Sequence, residues 1–203
     1  MSRASLRRIL NRYVELPAAR VLARLGVSPD GLTVAGLLVA GLAAYLVAAG
    51  SPLWGGLVLL ASGLFDLLDG ALARATGRVT PFGGFLDSTV DRLSEAVVLL
   101  GVLLRFALEG SLWGVALAYA ALVGSFTVSY MRARAEGLGL RCDVGVLTRP
   151  ERLLLLSLAL VITPWLSSAL VAALVVMAVL TFLTSLQRLL HVRRQVRRGG
   201  ESR

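Results

Sequence analysis

The sequence predicts an all-α integral membrane protein, with six transmembrane helices and one amphipathic helix that lies on the membrane surface. Hydrophobic residues make up 57% of the 203 positions, above the roughly 45–50% apolar share of soluble domains. The mean hydropathy is +0.79. Several stretches of about 20 residues carry almost no charge, and this length is enough to cross about 30 Å of hydrocarbon. These observations exclude a disulfide-rich secreted domain and a disordered chain, and they argue against a water-soluble enzyme.

The N-terminal segment 2–24 is predicted to be the interfacial amphipathic helix. Apolar side chains recur there at helical spacing, and Pro17 is a place where the helix is expected to bend. Basic residues are spread through the whole segment, so it has no uninterrupted apolar core of the kind that a signal peptide needs. These residues are Arg3, Arg7, Arg8, Arg12, Arg20 and Arg24.

Six membrane helices are predicted from the apolar stretches that follow. They lie at about 31–50, 53–75, 82–106, 112–136, 151–165 and 167–191. Short connections near Ser51, Glu109 and Thr163 separate several of them. We expect residues 1–203 to form one membrane domain, in which the bundle covers about 31–191 and residues 192–203 form a basic cytoplasmic tail.

The placement of arginine predicts the orientation of the chain. All 21 basic residues are arginine, against 12 acidic residues. All of them except Arg92 and Arg105 fall in segments at one predicted face of the bundle. Because basic residues collect on cytoplasmic flanks and near anionic lipid, we expect a multi-pass protein of the cell membrane with both termini in the cytoplasm. The net charge of +9 is therefore explained without a nucleic-acid partner.

Four carboxylates fall inside predicted membrane helices. They are Asp66, Asp69, Asp87 and Asp91. An aspartate at the helix centre costs about 2.5–3.5 kcal/mol on insertion scales, so four unpaired ones would cost on the order of 10 kcal/mol. Spacings of three and four residues put each pair on one face of its helix, and the short link makes the two helices antiparallel neighbours. The pairs should therefore meet near the cytoplasmic side.

The gathering of four acids has a functional and a structural interpretation. Convergent carboxylates without His or Cys suit hard cations such as Mg²⁺ or Mn²⁺, which commonly bind substrate phosphates. Structural pairing with Arg74, Arg78 and Arg92 neutralises part of the charge, but it does not explain why four acids gather. Gly70 and Gly83 beside the acids permit close approach of a ligand or close packing of helices, and both interpretations stay open.

The acids belong to a longer pattern, Asp66-x2-Asp69-Gly70-x2-Ala73-Arg74-x8-Gly83-x3-Asp87-x3-Asp91. At every fixed position this pattern resembles the motif of the CDP-alcohol phosphotransferase family. Members of the family transfer a substituted phosphate group from a CDP-linked donor to an alcohol and release CMP. The six-helix layout extends the resemblance to nearly the whole chain, and it implies the same fold and reaction type here.

The resemblance also implies roles for individual residues. It implies that the four acids bind two divalent metal ions, either Mg²⁺ or Mn²⁺. It also implies that Asp91 acts as the general base on the attacking hydroxyl. The stretch Pro29-Asp30-x-x-Thr33 resembles a further CDP-binding element, although taken alone it is a turn that opens a helix. The implied donor-binding set is Pro29, Asp30, Thr33, Asp66, Asp69, Gly70, Ala73, Arg74 and Gly83.

Three segments at cytoplasmic helix ends resemble the phosphatidylinositol phosphate synthase branch of the family. They are Ser129–Glu136, Arg149–Leu153 and Gln187-Arg188. Guanidinium groups bind phosphate in a bidentate manner. The alternative is that these arginines only flank membrane helices, which suits Arg152 poorly because the helix dipole disfavours a cation at a helix start. The implied acceptor-phosphate set is Ser129, Arg132, Arg152 and Arg188.

The implied reaction transfers the phosphatidyl group from CDP-diacylglycerol to inositol 1-phosphate, also numbered inositol 3-phosphate. Two enzymatic alternatives stay open, namely glycerol 3-phosphate as the acceptor and an archaeal-type ether-lipid donor. Arg132 stands where bacterial members of the branch usually carry lysine, and this changes the reach and geometry of the cation. The resemblance further implies a homodimer with its active site facing the cytoplasm.

Two other classes of membrane protein deserve comparison. Intramembrane acids also build the proton relays of transporters, but here they are grouped near one face and not strung across the membrane. A lipid-binding protein without catalysis has no need for a complete set of four acids. Glu95, one helical turn beyond Asp91, is left with two interpretations, a supporting partner of the acids or an ion pair with Arg92.

Overall fold

A computed structural model describes residues 15–200, and within that range the chain forms seven α-helices and no strand. They are α1 Leu16–Arg24, α2 Pro29–Ala48, α3 Pro52–Thr76, α4 Pro81–Leu108, α5 Leu112–Gly137, α6 Arg149–Ile162 and α7 Ser168–Gly200. The all-α class is confirmed, and α2–α7 correspond to the six helices predicted from the sequence. Of the predicted amphipathic helix, residues 2–14 lie outside the described range.

Two predicted helix ends were wrong. Helix α6 ends at Ile162 rather than near residue 165, because Pro164 has no backbone N–H to continue the helical hydrogen bonds. Helix α7 continues to Gly200 rather than ending near 191, so most of the expected basic tail is a helical extension. Pro17 lies in the first turn of α1, where a proline leaves no hydrogen bond unmade.

Four of the six long helices are long and apolar enough to cross a membrane, namely α2, α3, α5 and α7. Helix α4 has 28 residues but carries five charged side chains. Helix α6 has 14 residues, or about 21 Å at 1.5 Å per residue, which is shorter than the hydrocarbon layer. The chain is therefore a membrane protein, with four helices meeting this criterion among its described residues.

Helix α2 packs against both α3 and α4, α3 also packs against α6, and α5 packs against α7. Small residues allow some of these contacts. A Cβ atom at Gly56 of α3 would lie 2.8 Å from the carbonyl oxygen of Ser157 in α6, so only glycine fits there without a shift. The larger core side chains include Val47, Leu99 and Met177, all fully buried.

The turn between α3 and α4 sets up the acidic site. Gly77 ends α3 with a positive φ of 67°, a conformation that costs glycine little. Thr80 then caps α4, since its hydroxyl accepts a hydrogen bond of 2.9 Å from the backbone N–H of Gly83. Pro81 follows in the first turn, where its fixed φ favours a helix start. This four-residue turn, residues 77–80, places the start of α4 next to the end of α3, and α2 packs against both helices.

Candidate active site

The four acids lie on α3 and α4, which make little direct contact with each other and both pack against α2. Asp66 and Asp69 come from α3, and Asp87 and Asp91 from α4. Asp66, Asp69 and Asp87 all lie close enough to Asp91 for their charges to repel the charge of its carboxylate. Asp69 is buried at 5% exposure, and its partners are partly buried. The convergence expected from the spacing is therefore present in the structure.

Asp69 is fixed by neighbours on two helices. Its Oδ2 accepts a hydrogen bond of 2.7 Å from the hydroxyl of Thr33 in α2. Its Oδ1 lies 2.5 Å from the backbone nitrogen of Gly70. The same Thr33 hydroxyl also lies 3.1 Å from the carbonyl oxygen of Pro29. The Pro29–Thr33 segment is thus tied directly to the acidic cluster, as expected of residues in one site.

Arg149 bridges two of the acids, and sequence reasoning gave it no role. Its Nη2 lies 2.8 Å from Asp66 Oδ2, and its Nη1 lies 2.5 Å from Asp91 Oδ1. The arginines that the sequence suggested as partners are engaged elsewhere: Arg74 pairs with Glu15 at 3.4 Å, and Arg92 donates a hydrogen bond to the carbonyl oxygen of Ser88. The signal for Arg149 was its place at the start of the Arg-Pro-Glu-Arg-Leu segment.

The donor chemistry of the cluster fits a hard divalent cation. Carboxylate oxygens are the ligands that Mg²⁺ and Mn²⁺ prefer. Asp91 Oδ1 is enclosed and accepts no hydrogen bond among the described residues, since its contact with Arg149 lacks hydrogen-bond geometry. In the described part of the chain no three acidic, His or Cys side chains already stand in metal-holding positions. A metal would therefore need oxygens that Arg149 now contacts.

A cavity of about 280 Å³ opens on one side of the acids. It lies between the start of α2, the end of α3 and the start of α4. Every donor-binding residue implied by the resemblance lines it except Asp66. A Cβ atom at Gly83 would lie 3.3 Å from Asp30 Oδ1, whereas one at Gly70 would meet only the side chain of Arg74. These glycines border the cavity and do not mediate a helix crossing.

A second cavity of about 310 Å³ lies on the other side of the acids, among α4, α5, α6 and α7. Asp91 and Arg149 line it. The four residues expected to bind acceptor phosphate line it as well, and they are Ser129, Arg132, Arg152 and Arg188. Asp69 and Asp87 line the first cavity instead. The acidic cluster therefore stands between two separate cavities.

The arginines of the second cavity differ in their exposure and in the partners that their guanidinium groups already have. Arg152 is fully buried and binds Glu95 in a bidentate manner, with Nε–Oε1 and Nη2–Oε2 distances of 2.6 and 2.7 Å. Glu95 thus pairs with Arg152 and not with Arg92. Arg188 donates hydrogen bonds to the carbonyl oxygens of Val144 and Val128.

Arg132 is more open to solvent than these two. Half of its side-chain surface is exposed, and it pairs with Glu136 at 2.9 Å and with Asp143 at 3.1 Å. Surface pairs of this kind are weak, so the guanidinium can exchange them for another anion. Among the three arginines expected from the sequence, Arg132 is therefore the one whose guanidinium group is most accessible to a ligand.

A family model for CDP-alcohol phosphatidyltransferase matches residues 26–185. The chain belongs to the CDP-alcohol phosphatidyltransferase family. It is therefore a transferase, and the match covers the acids, the first cavity and every residue of the second cavity except Arg188. An archaetidylinositol phosphate synthase of Methanothermobacter thermautotrophicus is 40% identical over 190 residues, 92% of this chain and 91% of the relative. A phosphatidylinositol phosphate synthase of Cutibacterium acnes is also 40% identical, over 88% of this chain and 91% of the relative.

Solved structures of family members share the fold. Phosphatidylinositol phosphate synthase PgsA1 of Mycobacterium tuberculosis with CDP-DAG bound matches with a TM-score of 0.83 and 36% identity, covering 88% of this chain and 93% of that one. The same protein in complex with manganese and citrate matches with a TM-score of 0.82, covering 88% of each chain. The metal in the second structure supports divalent-metal use in this family.

Proposed function

We propose that this transferase moves the phosphatidyl group of CDP-diacylglycerol onto inositol 1-phosphate, also numbered inositol 3-phosphate, and releases CMP. The observation that carries this proposal is the pair of cavities that meet at the four acids. One cavity has the nucleotide-binding pattern of the family, and the other has the implied acceptor-phosphate set.

Inositol phosphate as the acceptor has support from two groups of relatives. The archaeal relatives are named archaetidylinositol phosphate synthases, and the bacterial ones are named phosphatidylinositol phosphate synthases. The two names differ in the lipid part and share the acceptor. The acceptor assignment therefore does not depend on which lipid is transferred, and for the lipid we favour diacylglycerol because CDP-DAG is bound in a structural neighbour.

The chain's own residues divide the work between the cavities. Pro29, Asp30, Thr33 and the Gly70–Arg74 segment hold the CDP group in the first cavity. Ser129, Arg132 and Arg188 hold the acceptor phosphate in the second, with Arg152 behind them. Asp91 lines this second cavity, so it is the acid placed to take the proton from the attacking hydroxyl.

The acids Asp66, Asp69, Asp87 and Asp91 would hold the divalent metal, which we propose to be two Mg²⁺ or Mn²⁺ ions. When bound, such ions offset the charge that develops on the attacking and leaving oxygens. Chelator should therefore abolish turnover, and added Mg²⁺ or Mn²⁺ should restore it. Full turnover in excess chelator would contradict this part of the proposal.

We also propose that all six helices α2–α7 cross the cell membrane as a single domain over residues 1–203, with segment 2–24 on its cytoplasmic surface. The charged residues of α4 do not prevent it from crossing the membrane. Glu95, for example, is 3% exposed and is bound to Arg152 inside the bundle. Ionisable groups in membrane helices typically face the interior and pair in this way. We place both termini and the active site in the cytoplasm, and from the resemblance we propose a homodimer.

The experiment that tests the function measures CMP release by the purified full chain. CDP-diacylglycerol is supplied with inositol 1-phosphate, free inositol or glycerol 3-phosphate in parallel, and a CDP-linked ether lipid replaces the donor in a second series. We expect release that requires inositol 1-phosphate. Release supported equally by glycerol 3-phosphate would overturn the acceptor assignment, and release only from the ether donor would overturn the lipid assignment.

A further inference from the structure

Arg149 occupies an unusual position for a cation. It begins α6, where the helix dipole disfavours positive charge, and 18% of its side-chain surface is exposed. Its guanidinium contacts Asp66 of α3 at 2.8 Å and Asp91 of α4 at 2.5 Å. One side chain therefore ties three helices together at the proposed reaction centre.

The atoms that Arg149 contacts are atoms that a metal would need. Asp66 Oδ2 and Asp91 Oδ1 are carboxylate oxygens of the proposed metal site. A carboxylate oxygen that contacts a guanidinium nitrogen at 2.5–2.8 Å leaves no room for a cation on that side. The positive charge of the guanidinium also repels a cation. Arg149 and the metal therefore compete for Asp66 and Asp91.

The same side chain also lines the second cavity, beside Ser129, Arg132 and Arg188. A tetrahedral anion in that cavity offers the guanidinium a partner other than the acids. Arginine has a long flexible stem and a fork of donors that suits phosphate, so a side-chain rotation is enough to exchange partners.

We propose that Arg149 is a positioning residue that couples the two cavities. Its guanidinium neutralises Asp66 and Asp91 until an acceptor phosphate enters, and then turns to that phosphate and frees both acids for the metal. This inference rests on the proposed function. By thermodynamic reciprocity, an anion in the second cavity tightens metal binding, and the metal tightens anion binding by the same factor.

The test measures Mn²⁺ binding and not turnover. The full chain in detergent is titrated with Mn²⁺, and free Mn²⁺ is counted by electron paramagnetic resonance. Sulfate serves as the tetrahedral anion, and chloride holds the ionic strength constant. For the natural sequence we expect sulfate to tighten Mn²⁺ binding by at least about fivefold.

The decisive variant is Arg149→Gln. Removing the competing guanidinium should tighten Mn²⁺ binding without sulfate by about 10- to 150-fold, if each lost contact is worth as much as a hydrogen bond to a charged group. Sulfate should then have little further effect. Arg149→Lys keeps the charge but cannot contact both acids as the fork does, so its Mn²⁺ affinity should fall between the two and its sulfate effect should be reduced. This conservative variant retains the test if Arg149→Gln fails to fold.

Arg105→Gln is the matched control. Arg105 is another cation of α4 and is similarly enclosed, with 19% of its side chain exposed, but it pairs with Glu109 at 2.9 Å and lines neither cavity. Its loss should change Mn²⁺ affinity by no more than about fivefold and should leave the sulfate effect intact. An effect equal to that of Arg149→Gln would show that only net charge matters and would overturn the coupling.

The remaining outcomes separate this inference from the proposed function. If the natural chain binds Mn²⁺ and Arg149→Gln alters neither the affinity nor the sulfate effect, the coupling is refuted while the metal site stands. If neither chain binds Mn²⁺, the proposed metal role and the coupling both fail. If only the Arg149→Gln variant binds Mn²⁺, the result would support competition between Arg149 and the metal, because the natural side chain would then exclude the metal completely.

Discussion

Each acid in the cluster has a different set of partners, and this difference supports the role proposed for Asp91. Asp69 is held by Thr33 and by the backbone of Gly70, so it has little freedom to turn. Asp91 has no hydrogen-bond partner at Oδ1 within the described residues, and it lines the second cavity. A general base must reach the proton that it removes, and of the four acids Asp91 meets this condition most directly.

Asp91→Asn tests the base. The amide keeps the size of the side chain but cannot accept the proton, so turnover should fall by roughly 10²–10⁴-fold. Donor binding in the first cavity should persist, because Asp91 does not line it. The matched control is Glu109→Gln, the same chemical change just beyond the other end of α4. Kinetics of CMP release on both purified variants check this, and near-normal turnover of Asp91→Asn would refute the assignment.

A double substitution is needed to test the contribution of the buried Glu95–Arg152 pair to stability. Arg152→Ala leaves Glu95 buried without a partner, and breaking a buried pair costs about 3–5 kcal/mol of stability. Glu95→Ala in the same chain removes the orphaned charge and should recover much of the loss in thermal stability. Melting temperatures in detergent for the single and double variants measure this.

The double variant also separates a structural from a binding role for Arg152. If this arginine contacts the acceptor phosphate, the stable double variant should still need about 10- to 150-fold more inositol phosphate for half-saturation, the range for hydrogen bonds to charged groups. If Arg152 only supports the fold, its acceptor saturation curve will match that of the natural chain. Saturation curves for CDP-diacylglycerol serve as the internal control.

At the level of helices, the sequence was sufficient to predict the features that depend on residues close together in the chain. Apolar length placed α2–α5 within a few residues, and Asp66 with Asp69 and Asp87 with Asp91 met because their spacing and the short turn leave few alternatives. The contacts of Arg149 and the partner of Glu95 were not predictable in this way. Both depend on where the packing of α6 against α3 places its first turn relative to α4, and hydrogen bonds such as Arg152–Glu95 join residues 57 positions apart.

The contact between α3 and α6 can be tested at a glycine. A Cβ atom at Gly56 would lie 2.8–2.9 Å from atoms of Ser157, Leu160 and Val161, so Gly56→Ala forces the helices apart. Overpacking of this kind typically costs about 1–3 kcal/mol. Gly63 on the same helix has no atom within 4 Å of the added Cβ, and Gly63→Ala should leave stability unchanged or slightly raised. Melting temperatures of the two variants compare them, and equal loss would contradict this packing.

Across the whole molecule, chemistry is concentrated at one end. The acids, both cavities and most of the arginines within the described residues lie there, whereas Trp113 and Trp165 are exposed at the opposite helix ends, as aromatic side chains at a membrane interface often are. A CDP-linked lipid carries its charged group at the membrane surface, so this end must face the compartment that supplies the water-soluble acceptor. The excess of arginine predicts that this compartment is the cytoplasm.

Labelling in intact cells decides the orientation. The single natural cysteine, Cys142, is buried at 1% exposure, and Cys142→Ser gives a background without thiols. Leu112, 84% exposed, marks the start of α5, and Leu138, 57% exposed, follows its other end. With an impermeant maleimide, Leu112→Cys should react in intact cells, whereas Leu138→Cys should react only after the membrane is permeabilised. The reverse pattern would place the acids outside the cytoplasm. Equal reaction at both sites in intact cells would mean that α5 does not cross the membrane.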